Sequence, residues 1–224
     1  MFPGLDGVSV KLLKCACDSI IAPLTFIFNM CIEKRTFPSV WKQARLSPIY
    51  KKGYPHLETG YRPVSVLSCV SKIIERHVHD TLYKFLEDNN LLSDSQFGFR
   101  PSHSTETALI SAVDDWQKNM DKGKLTGVLF IDLRKAFDCV NHKVLLHKLK
   151  SYGVSDQAMS FFSSYLNNRS QTVNFNGVLS ERKEIDIGVP QGSILGPLFF
   201  IVHVNDYPKC LKHSTVTMHA DDTS

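Results

Sequence analysis

The sequence predicts an α+β protein in which an antiparallel sheet packs on helices. Three patterns support this fold class: amphipathic helical stripes, short β-branched runs, and a hairpin signal at Asn176-Gly177. The chain has 224 residues, of which 43% are apolar and 21% charged, so it can bury a substantial core. This composition excludes disordered, collagen-like and disulfide-scaffold proteins.

Two strong helices are predicted in the first half of the chain. Residues 70–90 place their apolar side chains on one helical stripe, and Asn89 is suited to ending it. Residues 105–122 repeat this pattern, with Ser104 as a capping candidate and Gly123 after the last turn.

Residues 125–133 (LTGVLFIDL) differ in composition from the predicted helices before them. This short β-branched and aromatic run has the composition of a buried strand. Asp132 lies near its end, where a buried carboxylate is costly unless it has a partner. Residues 143–152 and 155–168 then indicate two helices.

The last quarter of the chain combines strands with an apolar helix. Residues 171–187 predict two strands that turn at Asn176-Gly177, the strongest short hairpin signal. A loop rich in Gly and Pro leads to an apolar helix whose first turn contains Pro197. Residues 214–220 alternate enough to form a strand, which ends at Asp221-Asp222.

Asp132 and the Asp221-Asp222 pair would converge if their two strands were neighbours in one sheet. Carboxylate clusters bind Mg²⁺, which prefers oxygen ligands, and two such ions can clamp the attacking and leaving oxygens of a phosphoryl displacement. Taken singly, an Asp after a strand is more often a turn residue, and a terminal Asp pair is more often solvated. Their combination favours nucleotidyl or phosphoryl transfer.

The net charge of +4 is concentrated in one segment, from Glu33 to Arg62. Seven basic residues against two acids make this basic block +5, and aromatic residues are interleaved with them. Such a pattern suits a surface that grips phosphates and stacks on bases. On composition alone, a solvated charged face is the somewhat better interpretation.

The cysteines and the apolar stretches indicate an intracellular protein. The six cysteines are scattered without a CxxC pair, which favours reduced thiols over a zinc site or disulfides. The longest apolar stretch, 20–28, is broken by Pro23 and is too short to span a membrane. The opening residues lack the plan of a signal peptide, so we expect a soluble protein without membrane partners.

Several motifs occur in a fixed order: FPGLDGVSVKLLK, WKQARLSPIYKKG, YRPVSVLSCVSKIIERH, QFGFRPSHSTETAL, FIDLRKAFDCVNH, GVPQGSILGPLFF and HADD. Together they resemble the reverse transcriptase domain of non-LTR (LINE-type) retrotransposons, from near Met1 to Ser224. Group II intron maturases share parts of the pattern, but SPIYKKG and NHKVLLHKL are closer to the LINE-type form.

The resemblance implies a right-hand polymerase fold and RNA-directed DNA polymerase activity. Residues 1–124 would form mainly fingers and 125–224 mainly palm, interleaved and without a thumb. The partners would be an RNA template, a DNA primer and dNTPs. We therefore expect a fragment, and a catalytically inactive nucleic-acid-binding remnant that uses the basic block is the alternative. A maturase fragment is a more distant third.

The resemblance also assigns roles at the expected active site. Asp132 and Asp221, with Asp222 beside them, match the carboxylates that bind two Mg²⁺ ions, with Mn²⁺ as a substitute. Phe137 matches an aromatic gate that excludes the 2′-hydroxyl of a ribonucleotide. In the GVPQGS loop, Gln191-Gly192 matches the segment along template and nucleotide.

Five basic residues receive expected ligands in the same way. Arg62 matches a fingers residue that reaches the triphosphate, and Lys51 is a weaker candidate for that role. Arg100 is expected to contact the template backbone, and Lys42 and Arg45 are expected to bind nucleic acid. Insertion into chromosomes would require access to the nucleus.

Two departures from the family pattern concern the Asp221-Asp222 box. His219 stands where the family has Phe or Tyr, which we expect to reduce activity rather than abolish it. Half of the expected hairpin, the returning strand after Asp222, is missing from the sequence pattern. Asp138 is expected to be structural, with Asn141 and His142 as its hydrogen-bond partners.

Overall fold

The computed structural model describes residues 3–54, 56–133 and 135–224. The helices are α1 (Val10–Cys15), α2 (Cys17–Glu33), α3 (Cys69–Asp88), α4 (Thr105–Asp121), α5 (His142–Ser151), α6 (Asp156–Leu166) and α7 (Leu195–Val204). The strands are β1 (Gln43–Tyr50), β2 (Tyr61–Val66), β3 (Ile131–Asp132), β4 (Arg169–Phe175), β5 (Val178–Leu179), β6 (Lys183–Ile185), β7 (Met218–His219) and β8 (Asp222–Thr223). This content confirms the α+β class.

The helices predicted from periodicity are present, and polar side chains cap their first turns. Ser68 accepts hydrogen bonds from backbone N–H groups at the start of α3, and Ser104 forms a capping box at the start of α4. Asn141 and Ser155 cap α5 and α6 in the same way. The caps satisfy N–H groups that have no partner within the helix.

A five-stranded sheet joins the two halves of the chain. Its order is β2-β1-β4-β5, and β6 also pairs with β4. The β1–β2 pairing is antiparallel, whereas β1 and β4 run parallel, with Gln43 opposite Ser170. The expected turn between β4 and β5 is present, with positive φ angles at Asn176 (51°) and Gly177 (83°). The sequence patterns before residue 70 predict none of α1, α2, β1 and β2, all of which the structure contains.

A second, three-stranded antiparallel sheet has the order β3-β8-β7. One row of side chains across it is formed by Met218, Thr223 and Ile131, and the first two of these are buried. Because side chains alternate between the faces of a strand, the neighbouring row faces the other way. That second row contains the carboxylates described below.

The predicted strand at residues 125–133 is corrected by the structure. Only Ile131 and Asp132 are paired, and residues 125–130 are exposed. Their pairing partner, β8, is itself two residues long, so residues 125–130 have no neighbouring strand among the described residues. The strand predicted at 214–220 is likewise limited to Met218 and His219.

The core lies where α7 passes between other helices. Apart from its Pro197 and its last two residues, α7 is buried on every side, which explains why its sequence is apolar all round. It packs against α3 and α5, and the aromatic rings of Phe162, Tyr165 and Phe199 meet edge to face. In the part of the chain that the structure describes, no helix is both long and apolar enough to cross a membrane.

Candidate active site

The three predicted aspartates lie in the small sheet or in its adjoining turn. Asp132 of β3 lies directly opposite Asp222 of β8, so their side chains share one face. Asp221 occupies the adjoining turn, and its carbonyl accepts a hydrogen bond of 3.4 Å from the backbone N–H of Leu133. Asp132 and Asp222 are exposed, while Asp221 is half-buried. Two distant parts of the sequence are therefore brought together, as predicted.

The turn between β7 and β8 corrects the expectation that half of the hairpin is missing. His219 pairs with Asp222, and Met218 pairs with Thr223, so the returning strand begins directly after Asp221. Two residues, Ala220 and Asp221, form the loop. His219 lies beside Asp222 in the same row as Asp132, on the open face of the sheet.

A segment that sequence reasoning did not assign to the site holds the other edge of this hairpin. The Met218 N–H donates to the Ser95 carbonyl at 2.8 Å, and the Phe97 N–H donates to the Met218 carbonyl at 2.7 Å. The Gln96 side chain accepts a 3.0 Å hydrogen bond from the Ala220 N–H. The sequence signal for this segment is the motif SQFGFR, for which the family resemblance predicts a role only at Arg100.

Phe137 lies in a short 3-10 turn after β3 and is fixed by two rings. Its ring stacks on Phe200 of α7 with a centroid distance of 5.1 Å, and Phe99 approaches edge-on at 5.8 Å. Phe200 is buried, Phe137 is half-buried and Phe99 is exposed. The three rings connect the core to the surface a few residues from Asp132.

The Gln191-Gly192 loop docks on the free edge of β2. The Gln191 carbonyl accepts a 2.8 Å hydrogen bond from the Ser65 N–H. Gly192 has a φ of 117°, and a Cβ atom there would lie 2.8 Å from the Ser65 carbonyl oxygen. Glycine is thus required by the close approach of protein backbone.

Asp138 contacts this loop rather than its sequence neighbours. Its carboxylate accepts a 3.3 Å hydrogen bond from the Gln191 side-chain amide. Asn141 instead caps α5, and the His142 imidazole bonds to the Gly188 carbonyl at 2.7 Å. The expected Asn141 and His142 partners for Asp138 were therefore wrong.

Glu75 of α3 supports the same loop from inside the protein. Its buried carboxylate accepts the N–H groups of Ile194 (2.9 Å) and Leu195 (3.5 Å) at the start of α7, and the Tyr165 hydroxyl at 3.3 Å. Burial raises the pKa of Glu75, although the backbone N–H of Ile194 and the charge of Arg169 oppose the shift. The carboxylate takes the place of an N-terminal cap for α7.

The basic candidates divide into exposed and internal groups. Lys51 and Arg62 are exposed on the β1–β2 hairpin, and the Arg62 guanidinium has no hydrogen bond or ion pair with the described residues. Lys42 is buried, and this burial, followed by the charge of Arg169, lowers the pKa of its amine. Lys42 is therefore poorly placed to contact a ligand.

Two predicted nucleic-acid contacts are directed at the protein itself. The Arg45 guanidinium donates to the Pro3 carbonyl at 3.0 Å. The Arg100 side chain is only 6% exposed and donates to Glu87 at 3.0 Å and to the Ser93 carbonyl at 2.7 Å. As placed, both guanidinium groups hold loops together.

The donor set suits a hard divalent cation. Asp132, Asp221 and Asp222 supply only oxygen atoms, and Mg²⁺ in proteins commonly uses one or two carboxylates together with water and phosphate oxygens. Among the residues described, no group of three or more His, Cys, Asp or Glu side chains is close enough together to hold a metal ion by itself. The chemistry of the donors therefore fits a site that a substrate would help to complete.

Residues 49–224 match the family Reverse transcriptase (RNA-dependent DNA polymerase). The chain belongs to this reverse transcriptase family. It is similar to a probable RNA-directed DNA polymerase from transposon X-element of Drosophila melanogaster, with 34% identity over 92% of this chain and 23% of that protein. The polymerase from mobile element jockey of the same species is 32% identical over 99% of this chain and 25% of that protein. These relatives identify a reverse transcriptase domain of the non-LTR retrotransposon type.

The reverse transcriptase fold is also found among solved structures. Apo telomerase from Candida tropicalis matches with a TM-score of 0.58 and 14% identity, over 92% of this chain and 43% of that chain. A form truncated from the C-terminal domain matches with a TM-score of 0.56 and 16% identity, over 82% and 43%. The chain spans about a quarter of the length of the curated relatives it matches.

Proposed function

We propose that this domain catalyses RNA-templated DNA synthesis. The observation that carries the proposal is the placement of Asp132 opposite Asp222, with Asp221 in the adjoining turn, in a chain of the reverse transcriptase family. The reaction would join a primer 3′-hydroxyl to the α-phosphate of a dNTP and release pyrophosphate. Because positioning and charge stabilisation dominate phosphoryl transfer, the clustered carboxylates are the main requirement.

Asp132, Asp221 and Asp222 would hold two Mg²⁺ ions, for which Mn²⁺ could substitute. When bound, the ions would supply charge stabilisation at the attacking and leaving oxygens. The open face of the β3-β8-β7 sheet supports this assignment, since two of the three carboxylates are exposed there. His219 in the same row would lie beside the ligands rather than among them.

The incoming dNTP would lie between the small sheet and the β1–β2 hairpin. Arg62 is the best candidate for the triphosphate, because its guanidinium is exposed and without a protein partner among the described residues. Lys51, near the end of the same hairpin, would add a second positive charge. Gln191-Gly192 would line the nucleotide site beside β2, and Phe137 would exclude the 2′-hydroxyl.

The nucleic-acid partners would be an RNA template and a DNA primer. Exposed Lys51, Lys52 and Arg62 support phosphate contacts, whereas internal Lys42, Arg45 and Arg100 do not contribute to this proposal. Synthesis primed on chromosomal DNA would require the protein to enter the nucleus.

Primer extension on an RNA template with dNTPs and Mg²⁺ tests this function. Asp132→Asn keeps the size of the side chain and removes one negative charge, so extension should fall at least about a hundredfold if the residue holds the metal. Asp186→Asn, at an exposed aspartate outside the site, is the matched control and should extend normally.

Equal extension by Asp132→Asn and the unchanged protein would overturn the proposed role of Asp132. No extension by any of the three proteins, together with salt-sensitive duplex binding, would contradict the polymerase proposal. That result would instead favour a nucleic-acid-binding domain.

A further inference from the structure

Gln96 is a buried polar residue beside the Ala220-Asp221 turn between β7 and β8. It is 1% exposed, and its side-chain oxygen accepts two backbone hydrogen bonds, from Gly98 at 2.8 Å and from Ala220 at 3.0 Å. Its side-chain nitrogen has no hydrogen-bond partner among the described residues. A buried amide with an unused donor is costly, and the two hydrogen bonds that its oxygen accepts offset part of this cost.

Ala220, which receives this contact, adopts an unfavourable backbone conformation. Its φ is +60°, a left-handed value at the first central residue of the two-residue turn between β7 and β8. Type II′ turns favour glycine at this place, because a Cβ atom disfavours positive φ. The hydrogen bond from the Ala220 N–H to Gln96 holds the peptide in that conformation, directly before Asp221.

The distance between the two segments is fixed by contacts on both sides of Gln96. Ser95 and Phe97 pair with the Met218 backbone, as described above. A Cβ atom on Gly98 would lie 2.1 Å from the Ala220 nitrogen, so only glycine permits this approach. The Gln96 side chain is therefore set against the turn by the backbone and is not free to move away.

We infer that Gln96 is a positioning residue that sets the Asp221-Asp222 turn through the Ala220 N–H. By holding this turn, Gln96 determines where Asp221 and Asp222 lie relative to Asp132 on the neighbouring strand. The inference deepens the proposed polymerase function, because the metal and activity readouts rest on it. Its structural part, the hold on Ala220, can be measured without any activity.

The test compares Gln96→Leu with Asn205→Leu. Leucine is of similar size to glutamine and lacks the acceptor. Asn205 is the matched control because it is also a buried amide, with 5% exposure. It follows α7 and hydrogen-bonds to the backbone of Leu91 and Ser93 and to the Tyr152 hydroxyl at the end of α5. Both variants should lower the melting temperature, but only the first touches the turn.

Amide hydrogen exchange measured by NMR reports the hold on the turn. In Gln96→Leu, the Ala220 N–H should exchange about fivefold to tenfold faster, the change expected for one lost hydrogen bond. Amides in the middle of α7 exchange through global unfolding, so their protection should fall only by the loss of global stability, and the change at Ala220 is measured relative to them. In Asn205→Leu, Ala220 should retain its protection relative to those amides.

Mn²⁺ binding, followed by electron paramagnetic resonance, reports the carboxylates. Gln96→Leu should weaken Mn²⁺ binding by about fivefold if one hydrogen bond is coupled to the position of the ligands. In an Ala220→Gly background the same substitution should have less than about a twofold effect, because glycine adopts the turn conformation without support. A role in general stability would produce equal losses in both backgrounds.

Unchanged Ala220 exchange in Gln96→Leu would overturn the inference, as would equal losses of Mn²⁺ affinity in the two backgrounds. If the unchanged protein binds Mn²⁺ in a Gln96-dependent way but does not extend primers, the positioning role stands and the polymerase proposal fails. If the unchanged protein binds no Mn²⁺, the metal part of both proposals is rejected, and exchange at Ala220 alone decides whether Gln96 holds the turn.

Discussion

Phe137 illustrates how a single side chain can be fixed before any substrate binds. Because its ring is held between Phe99 and Phe200, it has little freedom to move away from a nucleotide sugar. Phe137→Val should therefore raise incorporation of ribonucleotides relative to deoxynucleotides by about 10- to 200-fold, the range for one added or removed small group in a pocket. Single-nucleotide extension with rNTP and dNTP measures this ratio.

Phe175→Val is the control for the Phe137 substitution, since Phe175 is an exposed ring on β4 with an aromatic neighbour of its own, Tyr61. It should leave the ratio unchanged. If Phe137→Val still incorporates dNTPs and its ratio of rNTP to dNTP incorporation is also unchanged, Phe137 does not exclude the 2′-hydroxyl.

Glu75 predicts a pH dependence of stability. Its pKa is raised above the ordinary glutamate value of 4.5 in the folded protein, mainly by burial. The folded state therefore binds the proton more tightly than the unfolded state, and the resulting stabilisation is fully present below about pH 4.5. It is lost as the pH rises through the folded-state pKa, where the buried carboxylate ionises.

This pH dependence is tested by urea unfolding of the unchanged protein and of Glu75→Gln between pH 4 and pH 8. The difference between their free energies of unfolding at each pH isolates the ionisation of Glu75. As the pH rises, the free energy of unfolding of the glutamine variant should increase relative to that of the unchanged protein. A relative loss with rising pH would mean that the helix N-terminus and Arg169 dominate over burial.

The sequence predicted the proximity of the aspartate segments better than the exposure of the basic side chains. Asp132 and Asp221 follow the ends of strand-like segments, and strand pairing brought them together. Lys42, Arg45 and Arg100 have the same composition signal as Lys51 and Arg62, but they bind internal carbonyl or carboxylate groups or are buried. The direction of a long side chain depends on distant backbone that composition does not encode.

At the scale of the element, helices were predictable and strands were less so. The periodicity and caps of α3 and α4 are local, and the structure confirms both within two residues at each end. Residues 125–130 have strand composition, but a strand also needs a partner, and β8 offers only two residues. The site segment at Gln96 was missed for a related reason, since its role depends on a contact with Ala220 across 124 residues.

The attachment of the Gln191-Gly192 loop to β2 depends on one glycine. Gly192→Ala would place a Cβ atom 2.8 Å from the Ser65 carbonyl oxygen at a φ of 117°, so the loop must move. We expect a loss of about 1–3 kcal/mol in the free energy of unfolding, together with a raised KM for dNTPs. Denaturant unfolding and steady-state extension measure these two quantities.

Gly127→Ala is the matched control for Gly192→Ala, because a Cβ atom there meets nothing within 4 Å. Its stability should change by less than about 1 kcal/mol. If Gly192→Ala were as harmless as this control, the close approach to Ser65 would not constrain the loop.

At the scale of the whole molecule, strand pairing joins the two halves of the chain in one sheet. The parallel pairing of β1 with β4 places Gln43 opposite Ser170, and β3 reaches its partner β8 only after some 90 residues of intervening chain. Pairings of this kind close long loops, which slows folding. The predicted division into fingers up to residue 124 and palm beyond it stays a prediction.

Residues 125–130 form an exposed apolar segment that favours self-association. Leu125, Leu129 and Phe130 are all more than 70% exposed, and the run contains no charged residue and no proline. An unpaired apolar segment of β-prone composition is a template for edge-to-edge aggregation. We therefore expect light scattering that grows with protein concentration and falls in Leu129→Lys.

Leu109→Lys is the matched control, because Leu109 is 60% exposed on the helix α4. This substitution also replaces an exposed leucine by lysine, but it leaves residues 125–130 unchanged. If both substitutions reduced scattering equally, surface hydrophobicity in general would be the cause. If only Leu129→Lys does so, the self-association of this protein in solution is caused by the same segment that carries Asp132 into its site.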